Sequence, residues 1–208
     1  MMEQGTNEWF EARLGKVTAS RVVDVVAQTK SGYSTSRANY MAQLVVERIT
    51  NKVEESYSNA AMAWGTEHEP MARAEYEILR GVIVNEIGFV PHPHIPNTGA
   101  SPDGLIGEKG LIEIKCPNTA THIETLLTRK IPEKYLCQMY WQMACTGREW
   151  CDFVSYDPRM PEALRLCIIN VSFNDERISE LEKEVEKFLK EVDVKVDKLI
   201  NLIGQTND

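Results

Sequence analysis

A chain of 208 residues with 43% apolar and 26% charged side chains has the length and make-up of one ordinary globular domain. No stretch approaches the roughly eighteen uninterrupted apolar residues of a membrane helix, and the opening Met1-Met2-Glu3-Gln4-Gly5 is acidic and polar, unlike a secretory leader, so a cytoplasmic location is expected. The net charge of −8 argues against a uniformly basic nucleic-acid surface, but it is unevenly spread: residues 175–208 hold ten acidic and six basic side chains, and residues 1–52 hold seven basic and five acidic.

Residues 8–28 read as helical, with Trp9, Leu14, Val17 and the Val22, Val23, Val25, Val26 cluster near helical spacing and an interruption around Gly15. Residues 37–51 form a second helix with Tyr40, Leu44, Val45 and Ile49 on one face. A third is predicted to begin after Trp64-Gly65, where Thr66-Glu67-His68-Glu69 fits a capping box and Pro70 is tolerated in the first turn. From 82 to 116 the period becomes that of strands: Val82-Ile83-Val84, Ile87 to Val90, a turn-rich segment over 91–97, a short strand into Ser101-Pro102-Asp103-Gly104, and Gly110 to Lys115. Helices over 119–129 and 133–146, strands over about 150–156 and 164–172, and a long charged amphipathic helix over 175–203 complete the chain. No repeat or linker interrupts it, so residues 1–208 are read as a single domain of α/β or α+β class, a mixed sheet flanked by helices. The five cysteines at 116, 137, 145, 151 and 167 include no CxxC pair, as expected of reduced, packed thiols.

The chemistry concentrates in residues 101–117. Asp103 ends one extended segment, Gly104, Gly107 and Gly110 mark a turn, and Glu113 and Lys115 follow two residues apart on the next strand. Side chains two apart on a strand share a face, so a hairpin here brings Asp103 beside Glu113 with Lys115 next to both. Converging carboxylates repel one another, and a hard divalent cation relieves that repulsion; magnesium, with manganese as a substitute, is the natural occupant, and the Ile114 carbonyl is available as a further ligand. Such an ion activates water for attack on a phosphodiester, and Lys115 would orient or help deprotonate that water. A lone Glu-x-Lys on a strand is usually an exposed ion pair, worth under about 1 kcal/mol. Here Leu111, Ile112 and Ile114 flank the pair, marking a buried strand where unpaired charge is costly.

The run Ser101-Pro102-Asp103-Gly104 followed by Gly110-Leu111-Ile112-Glu113-Ile114-Lys115-Cys116-Pro117 resembles the active-site signature of phage lambda exonuclease and its relatives, the YqaJ-type viral recombinases, alkaline exonucleases of the PD-(D/E)XK nuclease superfamily. Four further segments resemble that family in the same order: Trp9 to Ser20, Ala63 to Glu69, Tyr135 to Met143, and Tyr156 to Met160. The resemblance implies a restriction-endonuclease-like core. It also implies 5′→3′ resection of one strand of linear duplex DNA from 5′-phosphorylated ends, leaving a 3′ overhang for recombination by strand annealing. Glu69 matches the family's central-helix glutamate at the metal site; its ordinary alternative is the capping-box side chain, and Glu67 is its neighbour in a shifted register. Arg13, Ser20 and Ser101 match a 5′-phosphate pocket, for which an arginine fork is suited; the ordinary readings are a solvated helix residue for Arg13 and a helix cap for Ser20. Gln138 matches a glutamine near the active site, Met62 an apolar wedge at the terminal base pair, and Lys30 a basic residue that tracks DNA, where the family has arginine. The family also implies a three-fold ring around DNA and a single-strand annealing protein as partner.

The competing expectations are an endonuclease of restriction or repair type with the same centre, and a non-catalytic DNA clamp or scaffold. Arg13 and Ser20 disfavour the first, and the intact Asp103, Glu113 and Lys115 disfavour the second. A small-molecule phosphohydrolase lacks its Gly-rich loop or histidine pair. His92 and His94 alternate like metal ligands but lack a third, and read as a loop feature; His122 reads as a helix residue, while His68, beside Glu69, is placed near the metal.

Overall fold

The computed structural model of the chain describes residues 2–53 and 60–205. The N-terminal part runs through helix α1 (Asn7–Arg13), strand β1 (Val17–Thr18), helix α2 (Val22–Val26), strands β2 (Gln28–Thr29) and β3 (Gly32–Tyr33), and helix α3 (Thr35–Thr50). Helix α4 spans Ala60–Arg80. Strands β4 (Val84–Asn85), β5 (Val90–Pro91), β6 (Thr98–Ala100), β7 (Gly104–Ile106) and β8 (Gly110–Lys115) follow. Helices α5 (Thr119–Thr128) and α6 (Glu133–Thr146), strands β9 (Trp150–Tyr156) and β10 (Leu166–Ser172), and helix α7 (Asp175–Gln205) close the chain.

The main sheet has the order β10-β9-β8-β7-β4, with β8 and β9 parallel and the other neighbours antiparallel; a smaller sheet has the order β1-β6-β5. This is the mixed α/β sheet flanked by helices that the pattern predicts. Both faces of β8 are covered. Ile112 and Ile114 pack with Ala72 and Tyr76 of α4 on one face, and Leu111 packs with Met139 and Met143 of α6 on the other. Opposed covers explain why β8 reads as a continuous apolar run interrupted only by Glu113 and Lys115. The stripe Leu181, Val185, Phe188, Leu189 and Val192 of α7 packs with Tyr40, Leu44 and Trp141 in the largest core cluster.

Two sequence expectations are corrected. Residues 8–28 are not one interrupted helix. Gly15 adopts φ +65° with the Arg48 side chain against its backbone, and Val17–Thr18 leaves the helical path to pair in parallel with Thr98–Gly99. Nor does a helix begin after Gly65: α4 already runs from residue 60, and Thr66 Oγ1 donates to the Met62 carbonyl (3.2 Å) instead of capping a new helix. This removes the capping role for Glu69, whose carboxylate instead pairs with Arg73 one turn further on (2.7 Å).

Candidate active site

Asp103 lies in the short link between β6 and β7. The register Gly104 to Ile112, continued by one step, sets it opposite Glu113. Glycine is required at 104, because a Cβ there would stand 2.1 Å from Val84 Cγ1. Asp103 Oδ2 accepts the Ile114 backbone N–H at 2.6 Å, which ties the carboxyl to the middle of β8. Glu113 is fully buried; one oxygen is ion-paired with the Lys115 ammonium, and the other accepts Gln142 Nε2 at 2.5 Å. The hairpin thus assembles Asp103, Glu113 and Lys115 as their spacing predicts.

The electrostatics are those of crowded carboxylates around one ammonium. Burial, and then Glu113, push the Asp103 carboxyl well above the usual carboxylate range, against the pull of Lys115 and the Ile114 N–H. Burial also raises Glu69; Arg73 and Lys115 pull it down, and Glu113 pushes it up, so Glu69 lies within electrostatic reach of the trio. Burial pulls the Lys115 ammonium down, but Glu113 and Asp103 outweigh it and hold it above the ordinary lysine range. Among the described residues no three Asp, Glu, His or Cys side chains converge as a ready-made metal cage. The donor chemistry nonetheless suits a hard cation. Oxygens dominate, Lys115 and the Ile114 N–H only partly offset the Asp103–Glu113 repulsion, and the buried Gln142 Oε1 has no hydrogen-bond partner among the described residues.

A cavity of about 840 Å³ is lined by four of the other predicted residues, Arg13, Ser20, Met62 and Glu69. Arg13 is stacked on the Trp9 ring at 3.8 Å and reaches Ser101 Oγ at 3.5 Å, while Trp9 Nε1 donates to the same oxygen at 2.9 Å. Burial draws the Arg13 guanidinium down to about 10, with Glu47 acting on it only at longer range. A part-buried cation held by a ring and a hydroxyl, without a paired carboxylate among the described residues, keeps guanidinium N–H groups with the donor chemistry to meet an anion. Ser20 is exposed beside Thr18 (3.4 Å between hydroxyls).

Lys30 sits at the exposed tip of the β2–β3 hairpin, outside the cavity lining. Gln138 is half-buried one turn before Gln142, and it is Gln142 that meets Glu113. Gln142 is the partner of Glu113 that the sequence reading did not single out. Its signal was available as a polar residue among Met139, Trp141 and Met143, the apolar side chains of a buried helix. His68 turns away from the trio, stacked on Trp64 at 3.6 Å with Nδ1 on the Trp64 carbonyl. His92 packs on Trp141, and His122 is buried between Ser155 and the Leu164 carbonyl. All five cysteines are free thiols.

A mixed sheet flanked by helices, with Glu and Lys on one strand and Asp in the link leading into its neighbour, is the PD-(D/E)XK nuclease arrangement. Within that class the chain belongs to the YqaJ-like viral recombinase family, whose domain model matches residues 8–149. It is 53% identical to LHK-Exo, an alkaline exonuclease from Laribacter hongkongensis. The crystal structure of LHK-Exo superposes with a TM-score of 0.90 over 97% of this chain and 100% of that one. A second structure, of LHK-Exo in complex with dAMP, gives a TM-score of 0.91 at the same identity and coverage. A phage-related exonuclease from Haemophilus somnus 129PT is 15% identical with a TM-score of 0.72 over 88% of this chain and 96% of that one, a likeness of fold alone. No curated protein sequence matches. Among the described residues no helix is long and apolar enough to cross a membrane.

Proposed function

We propose that this protein is a metal-dependent 5′→3′ exodeoxyribonuclease. It resects one strand of linear double-stranded DNA from 5′-phosphorylated ends and leaves a 3′ overhang for strand annealing. The observation that carries the reading is the convergence of Asp103, Glu113 and Lys115, in a chain 53% identical to an alkaline exonuclease. That relative's complex with dAMP adds support, because a deoxynucleoside monophosphate is what stepwise DNA hydrolysis releases.

Magnesium, with manganese as a substitute, would be held by Asp103, Glu113, the Ile114 carbonyl and Glu69; once bound it supplies the polarising charge that activates water and offsets charge on the phosphate. The chain's own residues do the rest. Gln142 fixes the Glu113 carboxylate in one orientation. Lys115, held as an ammonium, donates to the attacking water or to a phosphate oxygen. Arg13, with Ser101 and Ser20, receives the terminal phosphate, whose second charge favours it over an internal diester. Met62, on the cavity wall, would wedge the terminal base pair, and Lys30 and Gln138, which do not line the cavity, would contact the strand beyond it. The assembly we propose is a ring of three copies around the duplex. The working setting we propose is the cytoplasm, beside a single-strand annealing protein.

The test is digestion of three DNAs in magnesium: linear duplex with 5′-phosphate ends, linear duplex with 5′-hydroxyl ends, and closed circles. The reading expects mononucleotide release from linear ends, fastest with phosphate, and intact circles. Nicked circles would replace it with the endonuclease reading, and binding without hydrolysis in either metal would leave a scaffold.

A further inference from the structure

The anion pocket contains a side chain that the proposed function leaves without a role. Trp9, in α1, lines the cavity and touches both Arg13 and Ser101. Its ring lies 3.8 Å under the Arg13 guanidinium, and its indole N–H donates to Ser101 Oγ at 2.9 Å. Ser101 lies 92 residues away in sequence, at the end of the strand that leads to Asp103, so this hydrogen bond joins the N-terminal helix to the catalytic hairpin. Thr6 caps α1 by accepting the Trp9 backbone N–H, and Phe10 packs edge-on against the indole at 4.9 Å, which fixes the plane of the ring.

A planar ring restricts a guanidinium to lie flat against it and so points the N–H fork along the ring plane. The indole N–H, by occupying one lone pair of Ser101 Oγ, turns that hydroxyl's own proton away from Trp9 and leaves it to donate elsewhere. The two effects act on the same pocket: the arginine fork and the serine O–H are aimed by one residue that need not touch the phosphate. Thr18 and Tyr40, which also line the cavity, bond to each other through the Thr18 N–H and the Tyr40 hydroxyl at 3.2 Å, a contact that does not involve Trp9.

We infer that Trp9 is a positioning residue for recognition of the DNA end. It orients Arg13 through its ring and Ser101 through its indole N–H, so that the enzyme discriminates a 5′-phosphate from a 5′-hydroxyl. This inference rests on the end-phosphate reading of the pocket given above. The two contributions separate chemically, since phenylalanine keeps a ring under Arg13 without an N–H, and leucine keeps neither.

The experiment measures binding of a short blunt duplex, carrying either 5′-phosphate or 5′-hydroxyl, by fluorescence anisotropy in chelator, so that no turnover intervenes. Wild type is expected to prefer the phosphorylated duplex. Trp9→Leu is expected to lower that preference by about tenfold, the scale of one part-buried cation–ring contact plus one neutral hydrogen bond, with affinity for the hydroxyl duplex unchanged. Trp9→Phe should fall between the two. Combining Trp9→Phe with Ser101→Ala should cost no more than Ser101→Ala alone, because the N–H acts only through that hydroxyl. A ratio within twofold of wild type in Trp9→Leu, equal weakening on both duplexes, or additive losses in the Trp9→Phe, Ser101→Ala double variant would overturn the inference. A wild type without any preference would instead remove the pocket reading beneath it, so the two failures are distinguishable.

Discussion

Helix α4 brings Glu69 to the site, and the structure shows what holds that helix against the sheet. Asp152, fully buried on β9, accepts Tyr76 Oη at 2.7 Å and Arg80 Nη2 at 3.0 Å from α4, and Asn170 Nδ2 at 2.7 Å from β10. Asp152→Ala removes the acceptor of all three donors. Arg80 and Asn170 are exposed enough to turn to water, but Tyr76 is 1% exposed and its hydroxyl would be left buried without a partner. That orphaned group costs about 1–3 kcal/mol, and loss of the charged acceptor with its packing brings the expected total to about 3–4 kcal/mol. For a domain of this size such a loss lowers Tm by roughly 10 °C.

Tyr76→Phe, which leaves Asp152 its other two donors, should cost only about 1–2 kcal/mol. Combining it with Asp152→Ala removes the orphan, so the double variant should be more stable than the sum of the singles by about 1–2 kcal/mol. Urea unfolding followed by circular dichroism reads all three, and an unchanged m value keeps them comparable. Additivity within about 0.5 kcal/mol would refute the clamp, since independent sites add and members of one network do not.

The remaining expectations concern the site and its margins. Gln142→Leu leaves Glu113 with Lys115 as its remaining side-chain partner and should lower turnover by about 10- to 100-fold with little change in DNA affinity, the scale expected for an outer partner if Glu113 holds the proposed metal. Gln142→Glu, which adds a carboxylate beside Glu113, should be worse in the same steady-state assay. Asp157 is buried, yet the Arg159 side chain and backbone and Thr119 together outweigh burial and hold its carboxyl down near about 2. A depressed folded-state value means that its stabilisation is fully present above the unfolded value near 4 and disappears as pH falls toward 2. The stability gap between wild type and Asp157→Asn should therefore be widest above pH 5 and close on acidification; denaturant titrations at pH 6, 4 and 3 check this, and a constant gap would contradict it.

Much of the site was legible because it depends on strand periodicity. Glu113 and Lys115 alternate on β8 between apolar neighbours, and the glycines at 104 and 110 announce the hairpin that returns to Asp103. At Gly110 a Cβ would stand 2.2 Å from the Trp150 ring, so that glycine records close packing as well as a turn. Helices α5, α6 and α7 were likewise readable, since each carries a continuous apolar stripe. What escaped was set by distant partners. The pairing of Val17–Thr18 with Thr98–Gly99 has no local signature, so the valines near it passed for a helical face. Thr66 has the right neighbours for a cap, but its hydroxyl turns back to the Met62 carbonyl inside a longer helix. Gln142 and Asp152 stood in plain view as polar residues in apolar runs, but their partners, Glu113 and Tyr76, are 29 and 76 residues away.

The account stands on Asp103, Glu113 and Lys115 forming the hydrolytic centre, and Lys115→Ala tests it most directly. The measurement is mononucleotide release from 5′-phosphorylated linear duplex in magnesium, with affinity for the same DNA measured alongside. The account expects release to fall by about a thousandfold or more, the scale of losing a charged group that acts at the phosphate, while DNA binding stays within a few-fold of wild type. Turnover preserved to within tenfold would show that the chemistry is done elsewhere.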